Sequence, residues 1–240
     1  MFNIYNTNAM KEYNNDTFYN PHLKDHGIRN KHMLICGPTG SGKSNMTTNL
    51  IVKMADTWRK IIIVCKMQDE KIYRMLKDKL KDSLSIMTLQ ELPSLKNLEK
   101  TGQTLIIFDD FLTDTQQKLK DYTMYARKYN IMCIFLAQSY FATDKFIRQN
   151  IGYLVLLSMT DSRNLQLISQ TLGLPIEKSV VKSIISNATK FKLNVCIIDI
   201  GAPLNRTFRR NFSDYYLIEN EEDGELLEEI QFYKANGLLN

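Results

Sequence analysis

A chain of 240 residues, 44% hydrophobic and 24% charged, has enough material for one large domain whose core needs no staple, and it is neither disordered nor fibrous. A net charge of +5, with a pI near 8.9, permits a polyanionic partner but is an excess that many ordinary enzymes share, so charge alone assigns no function. Cys36, Cys65, Cys133 and Cys196 lie in apolar runs without C-x-x-C spacing, which argues against a zinc site or a secreted disulfide framework and for buried thiols in a reducing compartment. No stretch reaches the ~20 apolar residues of a membrane span, and the polar segment 1–31 lacks the apolar core of a signal peptide, so an intracellular protein without membrane contact is expected.

In chain order, residues 1–30, rich in Asn and Tyr, show no period and read as an N-terminal arm. Short apolar, β-branched runs then predict strands at 32–36, 60–65, 85–88, 104–108, 131–137, 153–159 and 192–200. Between them, helical patterns fall at 44–56, 69–81, 114–129, 143–150, 161–172 and 177–187. The alternation implies an α/β domain over 31–218 with a mostly parallel sheet flanked by helices. Ile61 to Val64 and Leu105 to Phe108 are apolar on both faces, as a central strand requires. The tail 219–240 is acidic, and 225–235 reads as an amphipathic helix with Leu226, Leu227, Ile230 and Phe232 on its apolar side.

The sharpest motif is Gly37-Pro38-Thr39-Gly40-Ser41-Gly42-Lys43-Ser44, which fits G-x-x-x-x-G-K-[ST] between a predicted strand and a predicted helix. Such a loop turns backbone N–H groups onto phosphate oxygens, and the following helix adds its positive end. Lys43 then reaches the β and γ phosphates, Ser44 holds Mg²⁺, and Asn45 closes the binding segment. The expected ligand is ATP with Mg²⁺. The second metal ligand should be a carboxylate ending another buried strand; Asp109 follows Leu105-Ile106-Ile107-Phe108 and fits. Asp110 is the candidate for polarising the attacking water, although Asp is one methylene shorter than the Glu more usual there. Gln138, ending the run 131–137, is placed to hold that water or sense the γ-phosphate; the alternative is a solvent-facing amide.

Taken together, the phosphate loop, the hydrophobic-Asp-Asp pair, Ala126-Arg127-Lys128-Tyr129-Asn130-Ile131 leading into Phe135-Leu136-Ala137-Gln138-Ser139, and Ile147-Arg148-Gln149-Asn150 resemble the FtsK/HerA superfamily of DNA-pumping ATPases. Within it, the chain looks most like the genome-packaging ATPases of large DNA viruses and virophages. The resemblance spans about residues 30–200 and is specific mainly in the block from Arg127 to Asn150. It implies a P-loop NTPase fold of the additional-strand type and a homo-oligomeric ring of five or six subunits. It also implies action on double-stranded DNA without sequence preference, a capsid or portal partner, and work in the host cytoplasm or viral factory. Arg127 resembles the arginine finger such ATPases insert into a neighbour's site, with Arg148 as runner-up; either is also explicable as an ordinary surface or structural arginine. A conjugation- or segregation-type DNA pump, and a nucleotide-gated capsid assembly factor that moves nothing, remain alternatives. For DNA contact, Arg206-Thr207-Phe208-Arg209-Arg210 suits a phosphate contact, a subunit interface or a plain hairpin equally. Lys71, Arg74, Lys77, Lys79 and Lys81 read mainly as the solvated face of a helix.

Overall fold

The isoleucine-rich run after residue 60 shows how the layers form. Ile61, Ile62, Ile63 and Val64 are all buried; Ile62 and Val64 pack into one apolar layer, Ile61 and Ile63 into the other. A strand apolar on both faces is stable only between two helical layers. The computed structural model describes residues 28, 30–98, 103–109, 117–158, 162–174, 176–218 and 232–234. In it the strands are β1 (Met33–Cys36), β2 (Lys60–Val64), β3 (Leu84–Met87), β4 (Thr104–Asp109), β5 (Ile131–Ala137), β6 (Tyr153–Leu157), β7 (Val195–Asp199), β8 (Phe208–Arg210), β9 (Asp214–Tyr216) and β10 (Phe232–Lys234). The helices are α1 (Lys43–Lys53), α2 (Lys71–Leu80), α3 (Gln117–Tyr125), α4 (Lys145–Asn150), α5 (Ser162–Leu172), α6 (Lys178–Ala188) and the single turn α7 (Leu204–Thr207).

The ten strands among the described residues form one sheet in the order β10-β9-β8-β7-β6-β1-β5-β4-β2-β3. The half from β6 to β3 is parallel, and β7 to β10 extend it antiparallel beyond β6. Helices α1 and α2 cover one face through Met46, Leu50, Ile51, Tyr73 and Leu76. The other face carries α3 to α6, which contribute Leu119, Tyr122, Ile147, Ile168, Val181 and Ile184. The insertion of β5 between β1 and β4 is the additional-strand arrangement expected of this fold class. All four cysteines are buried and free.

The strands and helices predicted between residues 32 and 200 are present, with ends shifted by a few residues. Residues 126–129, expected as the end of a helix, tighten into a 3₁₀ turn that stops at Asn130, whose φ of 58° is left-handed. One expectation is overturned: Phe232–Lys234, assigned to a helix at 225–235, is a strand antiparallel to β9. Its conformation is set by the unpaired hydrogen-bonding edge of β9, a partner that local periodicity does not reveal. The rest of that stretch, the acidic segment 219–229 and the arm 1–27 lie outside the described residues.

His32, one residue before β1, accepts the Cys133 N–H at its Nδ1 (3.1 Å) and is buried. Burial, with the positive charge of Arg127 as a second cause, holds its imidazole down at about 4, so it joins β1 to β5 as a neutral group.

Candidate active site

The phosphate loop follows β1 over the carboxyl edge of the sheet. Gly37 N–H donates to Ala137 O (3.1 Å), carrying the β1–β5 ladder one residue further. Gly40 and Gly42 take φ of 75° and 102°, the left-handed region that glycine enters without strain. α1 starts at Lys43 with no side-chain cap and no acidic residue in its first turn. Its leading N–H groups and positive dipole end therefore remain available to an anion lying over the loop. The Lys43 ammonium donates to Gly37 O (2.8 Å) and Pro38 O (3.1 Å), which folds it along the same loop.

Strand order brings the acidic half of the site to this edge. In the parallel register Asp109 lies opposite Leu136, and Cys36 lies opposite Ala137. Gly37, Gln138 and Asp109 therefore leave three adjacent strands at almost the same height, with Asp109 roughly 10 Å from the loop across two strand spacings. Gln138 is exposed there and Asp109 half-buried. Asp109 is held by a residue that sequence reading missed: the buried Tyr73 of α2 donates its hydroxyl to Asp109 Oδ2, and Ser44 lies near the same phenol. Burial first, and then the Asp109 charge, push the Tyr73 phenol far above its ordinary pKa, so it stays a donor. A tyrosine on the apolar stripe of an amphipathic helix carries no local sign of this task. Asp110 lies outside the described residues.

The arginines separate. Arg127 is exposed in the 3₁₀ turn that precedes β5, and its charge acts on His32, the residue before β1. It thus stands at the amino edge of the parallel strands, about 23 Å from the phosphate loop along the seven residues of β5. Arg148 stands at the carboxyl edge: its charge, like that of Lys43, acts on Cys36, and its guanidinium lies 5.2 Å over the Tyr140 ring. The Ser139–Phe141 turn that carries Tyr140 is held by Asn164 of α5, which accepts from Ser139 Oγ (3.0 Å) and Phe141 N–H (2.6 Å). Asp144 caps α4 through Phe146 N–H. Asn164 is buried, and nothing in the sequence near it pointed to this role.

Of the basic segment 206–210, two arginines belong to the hairpin rather than to a free surface. Arg209 is buried, donating to Tyr215 Oη (3.1 Å) and Phe212 O (3.4 Å), and Arg210 pairs with Asp214 at 3.3 Å. Arg206 is exposed. On α2, Lys71, Arg74, Lys77 and Lys79 are exposed, as is Lys81 just past its end, opposite the buried Tyr73 and Leu76. This is the solvated face expected there.

No helix among the described residues is long and apolar enough to cross a membrane. No curated protein matches the sequence. Solved structures share the fold. The genome-packaging NTPase B204 of Sulfolobus turreted icosahedral virus 2, in complex with AMPPCP, superposes with a TM-score of 0.57 at 14% identity over 76% of this chain and 97% of that one. B204 of Sulfolobus turreted icosahedral virus, described as a DNA-packaging ATPase, gives 0.56 at 14% over the same shares. The pCW3 conjugation coupling protein TcpA with ATPγS gives 0.50 at 12%, over 76% of this chain and 60% of that one. A family profile described as Poxvirus A32 protein matches residues 16–234, nearly the whole chain, and this protein, which shares the P-loop NTPase fold, accordingly belongs to the Poxvirus A32 protein family.

Proposed function

We propose that the chain is the ATP-hydrolysing subunit of a homo-oligomeric ring that drives double-stranded DNA into a viral capsid, working in the host cytoplasm or viral factory. The observation that carries the hydrolytic part is the convergence of the phosphate loop, Gln138 and Asp109 on one sheet edge, with Tyr73 holding the Asp109 carboxylate. The packaging part is supported by the family and by the fold shared with B204.

The residues suit Mg²⁺ with ATP. Ser44 and Asp109 offer hard oxygen donors near the same Tyr73 phenol. Among the described residues no cluster of three or more His, Cys, Asp or Glu side chains forms a metal cage. Mg²⁺ favours this pattern, held by one carboxylate, a hydroxyl and substrate phosphates rather than by an all-protein cage. When bound, it supplies charge neutralisation across the β and γ phosphates. Residues 37–45 cradle the triphosphate, and Lys43 swings from the loop carbonyls to the β and γ oxygens. Asp110 accepts the proton of the attacking water, Gln138 orients that water, and Arg127 reaches the site of the next subunit. Arg148, already at the nucleotide edge of its own chain, acts in cis.

Tyr73 is then a positioning residue, orienting Asp109 from outside the metal shell. Tyr73→Phe keeps the ring in its packing but removes the hydrogen bond to Asp109. It is expected to raise the Mg²⁺ concentration needed for half-maximal ATP binding about tenfold, in the range typical of lost ligand-orienting partners, with little change in melting temperature. Titration calorimetry at varied Mg²⁺ checks this; an unaltered Mg²⁺ requirement would show that Tyr73 only packs.

The test of the motor is ATP turnover with and without duplex DNA, under conditions where rings are shown by light scattering. Stimulation by DNA of any sequence, fading as salt rises, is the expected result. Turnover indifferent to DNA in assembled rings would favour the capsid assembly factor instead.

A further inference from the structure

The loop between α6 and β7 combines features that the phosphate site does not use. Its tip holds two large apolar side chains in solvent, Phe191 at 63% and Leu193 at 53% of full exposure. Leu193 adopts φ of 70°, a conformation strained for a bulky side chain and one that persists where the surrounding structure imposes it, often at ligand clamps. The same side chain reaches the phosphate loop: a Cβ built on Gly42 would fall 2.8 Å from Leu193 Cδ2. Both ends of the loop are tied down. Thr189 N–H and Oγ1 bond Ile185 O (3.0 and 2.8 Å), Asn194 N–H bonds Phe191 O (3.1 Å), and the Asn211 side chain accepts Val195 N–H (3.2 Å). The apolar tip is therefore held in place rather than left to collapse onto the core.

Its position relative to the triphosphate gives it a use. β5 and β4, ending in Gln138 and Asp109, flank β1 on one side; β6 and β7 flank it on the other. The γ-phosphate end of the ligand belongs on the side of Asp109, so the nucleoside leaves the loop toward β6 and β7. There Leu157 lines Gly37 and Gly42, and the 190–194 tip begins β7 opposite Leu157. Leu193 beside that exit, with the exposed ring of Phe191 two residues before it on the same tip, matches the flat apolar face of a nucleobase. Resting on the ATP reading above, we propose that Phe191 and Leu193 form the platform on which the base of the nucleotide packs. Stacking on such a platform uses a π-face that every base has, so it adds affinity with little choice between purines.

The experiment separates base from phosphate by measuring Mg²⁺-dependent binding of ATP and of inorganic tripolyphosphate to the full chain by calorimetry. The chains compared are wild type, Phe191→Ala and Leu193→Asn, with melting temperatures recorded. Asparagine tolerates the left-handed backbone at position 193, so the second variant removes the apolar contact without adding strain. Each variant is expected to weaken ATP about tenfold while tripolyphosphate changes by less than about twofold, the low end of what base–aromatic stacking supplies. Equal weakening of both ligands, or no weakening of ATP, overturns the platform. A wild-type chain that captured neither ligand would overturn the nucleotide reading itself, and the platform with it.

Discussion

Arg127→Ala is expected to reduce kcat in assembled rings by about 10³-fold or more while leaving ATP affinity unchanged, because a transition-state arginine supplied by a neighbour is worth roughly 10³ to 10⁵ in rate. The geometry makes this an interface effect. Arg127 precedes β5 and the phosphate loop follows the parallel β1, so the two lie on opposite edges of the same sheet. In a head-to-tail ring, the face carrying one edge meets the neighbour's opposite face, which is how an arginine this far from its own site would come to act. The measurement is steady-state ATP turnover at protein concentrations above and below ring assembly. Activity of the wild type that did not depend on assembly would sink the assignment, as would turnover by Arg127→Ala within a few-fold of wild type.

Lys43→Ala is expected to lower turnover by a comparable factor, about 10³-fold or ~4 kcal/mol of transition-state stabilisation. It should also weaken ATP binding, because its ammonium is the positive charge already lodged in the loop, bonded to Gly37 O and Pro38 O. Melting temperature should hardly move, since the side chain is only partly buried and its partners are loop carbonyls that water can serve. Mixing the two inactive variants is the stronger test. In a random ring about a quarter of the interfaces pair an intact Lys43 with an intact neighbouring Arg127, so a fraction of wild-type turnover should return. Mixed rings with no recovery would count against an arginine acting across the interface and leave Lys43 untouched.

Arg148 sharpens the contrast between the two arginines. The sequence offers both as fingers because both flank the strand that ends in Gln138. In the fold, Arg148 is drawn to the carboxyl edge of the parallel strands, stacked on Tyr140, while Arg127 stands on the other. Distance along the chain is nearly the same for the two; the direction in which β5 runs separates them.

Much of where the candidate site's residues lie was legible from residue order because their placement is local. A glycine-rich turn between a buried strand and an uncapped helix depends on bonds within a few residues: Gly40 and Gly42 for the backbone, Lys43 for the charge, Ser44 one residue on. Doubly apolar runs such as Ile61 to Val64 likewise demand a sandwiched strand wherever they occur. The strand-end positions of Asp109 and Gln138 were readable for the same reason, since Asp109 ends one such run and Gln138 directly follows another. What residue order left open are contacts between segments far apart in the chain, which follow from strand order and from which face a helix covers. Tyr73 reaches Asp109 only because β2 lies beside β4. Leu193 rests on Gly42 because β7 turns back against β6. Arg209 is buried against Tyr215 instead of facing solvent, and Phe232–Lys234 becomes a strand because β9 offers it an edge. Periodicity records how far a residue is buried, but not against whom, and hydrogen bonds and packing across the sheet supply that second half.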